Sequence, residues 1–76
     1  MSSNRMVRVF VNAVGVDIPA GGTALDAVRV ADTSLADEVL SGARLITDSR
    51  GLPIDGDTLM PAGSILRTVS KRARDE

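Results

Sequence analysis

The sequence predicts an α+β domain, with a mixed sheet of four to five strands and one main helix packed across it. Three observations carry this: a period-two run at 6–12, a helix start at Thr23 with helical spacing behind it, and further strand-like runs at 43–47 and 64–70. The domain is expected to span 6–70, with 1–5 and 71–76 as flexible ends.

The run M-V-R-V-F-V-N at 6–12 is rich in valine and sets Arg8 and Asn12 on the face opposite Val7, Val9 and Val11, as a half-buried strand requires. Asn12, Ala13, Val14 and Gly15 offer turn residues. Alternation resumes over Val16, Asp17 and Ile18 until Pro19 removes a backbone donor, which makes a β-hairpin. Gly21 and Gly22 break the chain, and Thr23-Ala24-Leu25-Asp26 fits a capping box in which Thr23 accepts from an early N–H and Asp26 reaches back. Ala24, Ala27, Val28 and Ala31 then share one side of a helix, with Asp26, Arg29 and Asp32 on the other.

A second cap pattern at Ser34-Leu35-Ala36-Asp37 starts a short helical piece that Gly42 stops. The run A-R-L-I-T at 43–47 reads as a strand closed by the turn Asp48-Ser49-Arg50-Gly51. Pro53 confines Leu52-Pro53-Ile54 to an edge or an end of the sheet. Turn residues at 55–57 and 61–63 lead into the final strand, S-I-L-R-T-V-S at 64–70.

Composition excludes several kinds of chemistry. Without cysteine there is neither a disulfide nor a thiolate metal site, and without histidine there is no Ser-His-Asp triad, histidine base or ordinary zinc site. Phe10 is the only aromatic residue, so base stacking has almost nothing to work with. A net charge of −1 argues against a nucleic-acid binder that works by bulk electrostatics. The polar start leads into a strand-like run, not into an apolar leader or a membrane helix, so an intracellular, cytoplasmic location is expected. No cofactor, metal or membrane partner is implied.

The stretches I-P-A-G-G-T-A-L-D-A-V at 18–28 and G-L-P-I-D-G-D-T-L-M-P-A-G-S-I-L-R-T-V at 51–69, in this element order, resemble the ubiquitin-like β-grasp proteins. The resemblance is greatest to the sulfur-carrier branch (the thiamine-biosynthesis carrier and the molybdopterin-synthase small subunit) and to the TGS domain. It implies a β-grasp fold. The carriers end in an exposed Gly-Gly whose carboxylate is adenylated and converted to a thiocarboxylate, whereas the last glycine here is Gly63 and bulky charged residues follow the final strand. A chain ending at Glu76 is therefore expected not to be activated by an adenylating enzyme of the carrier type. The two-iron ferredoxins of the same fold need cysteine ligands, which this sequence lacks.

Four groups of residues are candidate sites. Asp55-Gly56-Asp57 offers carboxylates to a hard cation, though Asp and Gly are equally what a turn requires. Residues 20–23 before the helix offer N–H groups to a phosphate, but no lysine follows, and a structural loop with a cap is the favoured reading. Lys71 and Arg72, with Arg74, offer contacts to RNA phosphates or an acidic partner, against the alternative of a solvated tail. Arg8, Arg44 and Arg67 fall on separate strands at positions open to the outer sheet face, where ubiquitin-like proteins bind partners. The leading expectation is thus a non-catalytic ubiquitin-like module that binds a protein through its sheet face or an edge strand, with Arg8, Arg44, Arg67, Lys71 and Arg72 as partner-binding residues. The alternatives are a sulfur carrier of thiamine or molybdopterin biosynthesis with an altered C-terminus, and a TGS-like module contacting RNA or the ribosome.

Overall fold

The period-two valines form β1 (Met6–Val11) and pair antiparallel with β2 (Val14–Pro19), from Met6 opposite Pro19 to Val11 opposite Val14. The pairing leaves a tight turn of only Asn12 and Ala13, both at positive φ (52° and 71°), the geometry that matches the twist of a hairpin. β2 therefore resumes at Val14, earlier than the turn residues suggest. Asn12 tolerates the left-handed region and Ala13 does not, so Ala13→Gly is expected to stabilise the protein by about 1 kcal/mol. A thermal midpoint about 4–8 °C higher checks this, and an unchanged or lower midpoint rejects the strain.

The computed structural model describes residues 5–70. The expectation of flexible ends lies outside the described residues except at Arg5, whose carbonyl accepts from the Ala20 N–H at 2.8 Å and so extends the hairpin ladder.

Helix α1 (Ala24–Ala31) starts at the expected cap: the Asp26 N–H donates to Thr23 Oγ1 at 3.2 Å, and the Thr23 N–H donates to Asp26 Oδ2 at 3.0 Å. Thr23→Ala removes one half of this exchange and should cost about 1 kcal/mol, read as a lower denaturation midpoint; an unchanged midpoint would show that the cap contributes nothing. Helix α2 (Thr33–Ser41) is no shorter than α1, and its cap is Asp32, not Ser34. Asp32 is extended (φ −166°, ψ 113°), so it ends α1 and places its carboxylate to accept from the Ser34 N–H at 2.9 Å. A short acidic side chain on an extended residue is well suited to that role, and Ser34 is left inside the helix. Gly42 closes α2 at φ 90°.

The remaining strands are β3 (Arg44–Asp48), β4 (Pro53–Ile54) and β5 (Ile65–Ser70), and the five-stranded mixed sheet runs β2-β1-β5-β3-β4. β5 enters between β1 and β3, parallel to the first and antiparallel to the second. The β3–β4 connection is tied by Asp48, whose carboxylate accepts from the N–H groups of Arg50 (2.8 Å) and Leu52 (3.0 Å). The Leu52 backbone bond is the main cause that holds the Asp48 carboxyl below its ordinary range.

Both helices cover one face of the sheet. Val9, Val11, Ile18, Ile46 and Leu66 meet Ala24, Ala27, Val28 and Ala36 in a buried aliphatic core, where the alanines let helix and sheet approach closely. Among the described residues no helix is long and apolar enough to cross a membrane.

Candidate functional site

In a strand, neighbouring residues point to opposite faces, so on β1 and β5 the buried residues identify the outer face by exclusion. Opposite Val9, Val11 and Leu66 lie Met6, Arg8 and Phe10 on β1 and Ile65, Arg67 and Val69 on β5. Register joins them across strands: Phe10 lies beside Ile65, Val69 beside Leu45, and Arg67 beside Thr47. The face is apolar for the most part. Phe10, Ile65 and Val69 leave 36, 49 and 42% of their surface exposed, and Met6 at the start of β1 leaves 54%.

The charges on this face are fewer than the sequence suggests. Arg8 donates from Nε to Asp17 Oδ1 at 2.9 Å and from Nη2 to Asp17 Oδ2 at 3.4 Å. The pairing with Asp17 holds the Arg8 guanidinium still more firmly in its charged form, through the hydrogen bond first and charge attraction second. Arg44 does not belong to the outer face. It stands two residues from buried Ile46 and so points to the helix side, where its Nε donates to Glu38 Oε1 on α2. Arg67 does lie on the outer face and makes no ion pair among the described residues. Lys71 and Arg72 lie outside the described residues. Among the described residues, the expected basic surface thus reduces to Arg8, already paired, and Arg67.

Beside Phe10, Asn12 holds the end of the hairpin against β5. Its Nδ2 donates to Thr68 Oγ1 and its Oδ1 accepts from the Thr68 N–H, both at 3.0 Å. The side-chain amide takes the place that a longer β1 backbone would occupy. Asn12, Ala13, Ile65, Leu66 and Arg67 line a shallow depression of about 380 Å³ at this corner.

The other candidate sites are filled by the protein's own groups. At the start of α1, the Ala24 N–H donates to the Thr58 carbonyl (2.9 Å) and the Leu25 N–H to the Gly56 carbonyl (2.8 Å), while Thr23 and Asp26 satisfy each other. A phosphate would find these donors already taken. Asp55 and Asp57 belong to the loop that supplies those carbonyls. There the Thr58 N–H closes a turn on the Asp55 carbonyl at 3.1 Å, and among the described residues no three acidic side chains gather around one point.

The apolar residues of the outer face were open to sequence reasoning through one signal. In M-V-R-V-F-V-N, Phe10 is in phase with Arg8 and Asn12, so the sole aromatic side chain is aimed away from the valine face. Ile65 and Val69 carry the same signal relative to Leu66, once Leu66 is taken as the core position. The chain was compared with protein-family models, with curated proteins and with solved structures, and none of them matches it.

Proposed function

We propose that this chain is a non-catalytic binding module of the ubiquitin-like β-grasp kind, and that it docks a protein partner on the outer face of its sheet. The observation that carries the reading is the position of Phe10: the only aromatic side chain lies on the face away from the helices, beside Ile65 and in line with Met6. Aromatic anchors surrounded by aliphatic residues are what protein interfaces use at their centres. The β-grasp assignment is supported by the hairpin–helix–strand order, the parallel β1–β5 pair in the middle of the sheet and the placing of both helices on one face. The non-catalytic assignment is supported by the absence of cysteine and histidine from the sequence. The Arg8–Asp17 pair and Arg67 flank the Phe10–Ile65 pair, two residues away along β1 and β5, and supply the polar rim of such a site.

The test places a photo-crosslinking residue at Ile65 on the outer face, and at Arg29 on the helix side as a control, in the intact chain expressed in its source cells. A discrete cross-linked protein obtained from Ile65, absent from Arg29 and lost in Phe10→Asp, is the expected result. Equal labelling from both positions, or labelling that survives Phe10→Asp in a folded variant, would overturn the reading.

A further inference from the structure

We propose that β2 is a self-association edge: two copies of this chain pair their β2 strands antiparallel about a two-fold axis that passes between the two Val16 residues. This edge shares the Arg8–Asp17 pair with the rim of the outer face proposed above but uses the backbone of β2, and neither reading depends on the other.

The hydrogen-bond phase of the hairpin leads to it. The Ala20–Arg5 bond and the pairing of Val14 with Val11 mean that the even-numbered residues of β2 bond to β1, as alternation in an antiparallel ladder requires. Gly15, Asp17 and Pro19 therefore aim their backbone groups away from β1, along an edge that no other strand among the described residues covers. Pro19 has no N–H, and its carbonyl already accepts from the Gly22 N–H at 2.8 Å. The N–H and C=O groups of Gly15 and Asp17 have no hydrogen-bond partner among the described residues. At the opposite edge β4 has only two residues, one of them Pro53, and so offers far less to pair with.

The second copy follows from the register that these groups allow. With the axis at Val16, Gly15 lies opposite Asp17 of the second copy and the reverse, so all the free groups pair in about four main-chain hydrogen bonds. An axis at Asp17 would set the two Asp17 carboxylates against each other, and an axis at Gly15 would match Asp17 with Ala13 in the turn at φ 71°. Only the Val16 register avoids both costs.

Charge supports the same register. A Cβ at Gly15 would lie 3.2 Å from Arg8 Cδ and 3.5 Å from Arg8 Nη1, so the Arg8 side chain lies over the bare glycine. Its Nε and Nη2 hold Asp17, and Nη1 is left beside the position that the Asp17 of the second copy would take. Each guanidinium would then bridge two carboxylates, and the four charges alternate in sign across the axis. On the helix side the register sets Val14, 57% exposed, opposite Ile18 of the second copy, which is fully buried in its own core and adds no apolar contact.

The interface is small, so association is expected to be weak and visible only at high concentration. The intact chain is followed by sedimentation equilibrium and by amide NMR from about 10 µM to about 1 mM. The expected result is a monomer–dimer equilibrium in which the Gly15 and Asp17 amides shift and gain exchange protection with concentration, while those of Val14 and Val16, already bonded to β1, change much less. Asp17→Lys is expected to weaken association at least tenfold with its circular dichroism unchanged. A monomer throughout the range, concentration-dependent changes confined to β4 or to the Phe10–Ile65 surface, or full association by folded Asp17→Lys would each overturn the proposal. If Asp17→Lys fails to fold, the amide pattern of the unaltered chain decides.

Discussion

Val28→Asp is expected to leave the protein unfolded at neutral pH. Val28 is fully buried in α1 at the junction of helix and sheet, and its neighbours Ala24 and Ala27 are just as inaccessible. The substitution removes the burial of an aliphatic side chain, which contributes about 1.5–3 kcal/mol, and brings in a carboxylate with no donor to meet it, at a cost of several kcal/mol more. A chain of this length has a total stability of only about 4–11 kcal/mol, so the two losses together consume most or all of it. The direction with pH follows. Burial would raise the carboxyl pKa in the folded state above its unfolded value, so the penalty is greatest at neutral pH and shrinks as pH falls through that raised pKa. Circular dichroism and a one-dimensional proton spectrum at pH 7 check the result. A dispersed spectrum with cooperative unfolding near the unaltered midpoint would mean that Val28 does not face the sheet. Val28→Ala, which adds no charge, should remain folded with a lower midpoint and so separates the charge effect from lost packing.

Leu66→Ala is expected to cost about 2–5 kcal/mol, the range for removing a large aliphatic side chain from a core that relaxes only in part. Leu66 is 2% exposed on β5, the middle strand of the sheet, and its register neighbours are Val11 on one side and Asp48 on the other. The cavity would therefore open where both hairpin and C-terminal strand meet the helices. Ile65→Ala, one residue away on the outer face and 49% exposed, should cost well under half as much. Denaturant midpoints of the two variants measured side by side give the answer, provided that their slopes agree. If Ile65→Ala proved the more destabilising, the face assignment of β5 would be reversed, and with it the outer position of Phe10 and Arg67.

The contrast between Leu66 and Ile65 also shows where sequence reasoning reaches its limit. The alternation of 6–12, the Thr23 capping box, the stop at Gly42 and the edge position of Pro53 were all legible in the sequence and recur in the structure. Each depends on residues within a turn or a strand repeat of one another, so the chain carries the whole of the signal locally. Arg44 could have been placed by the same logic, because a spacing of two from a core Ile46 puts it on the helix side; what the sequence did not reveal was that Ile46, and not Leu45, is the core residue.

By itself, then, the sequence determined the elements, their approximate ends and the exclusion of cysteine and histidine chemistry. Tertiary structure alone decided that β5 enters between β1 and β3, that the Gly56 and Thr58 carbonyls cap α1 across the chain, and that Asn12 reaches Thr68, 56 residues away. It also decided that Arg8 is paired by Asp17, that Arg44 is held by Glu38, and that the outer face is apolar more than basic. The physical reason is one of range. Capping and alternation follow from bond geometry between near neighbours, whereas strand order and charge pairing depend on which distant segments the buried core brings together.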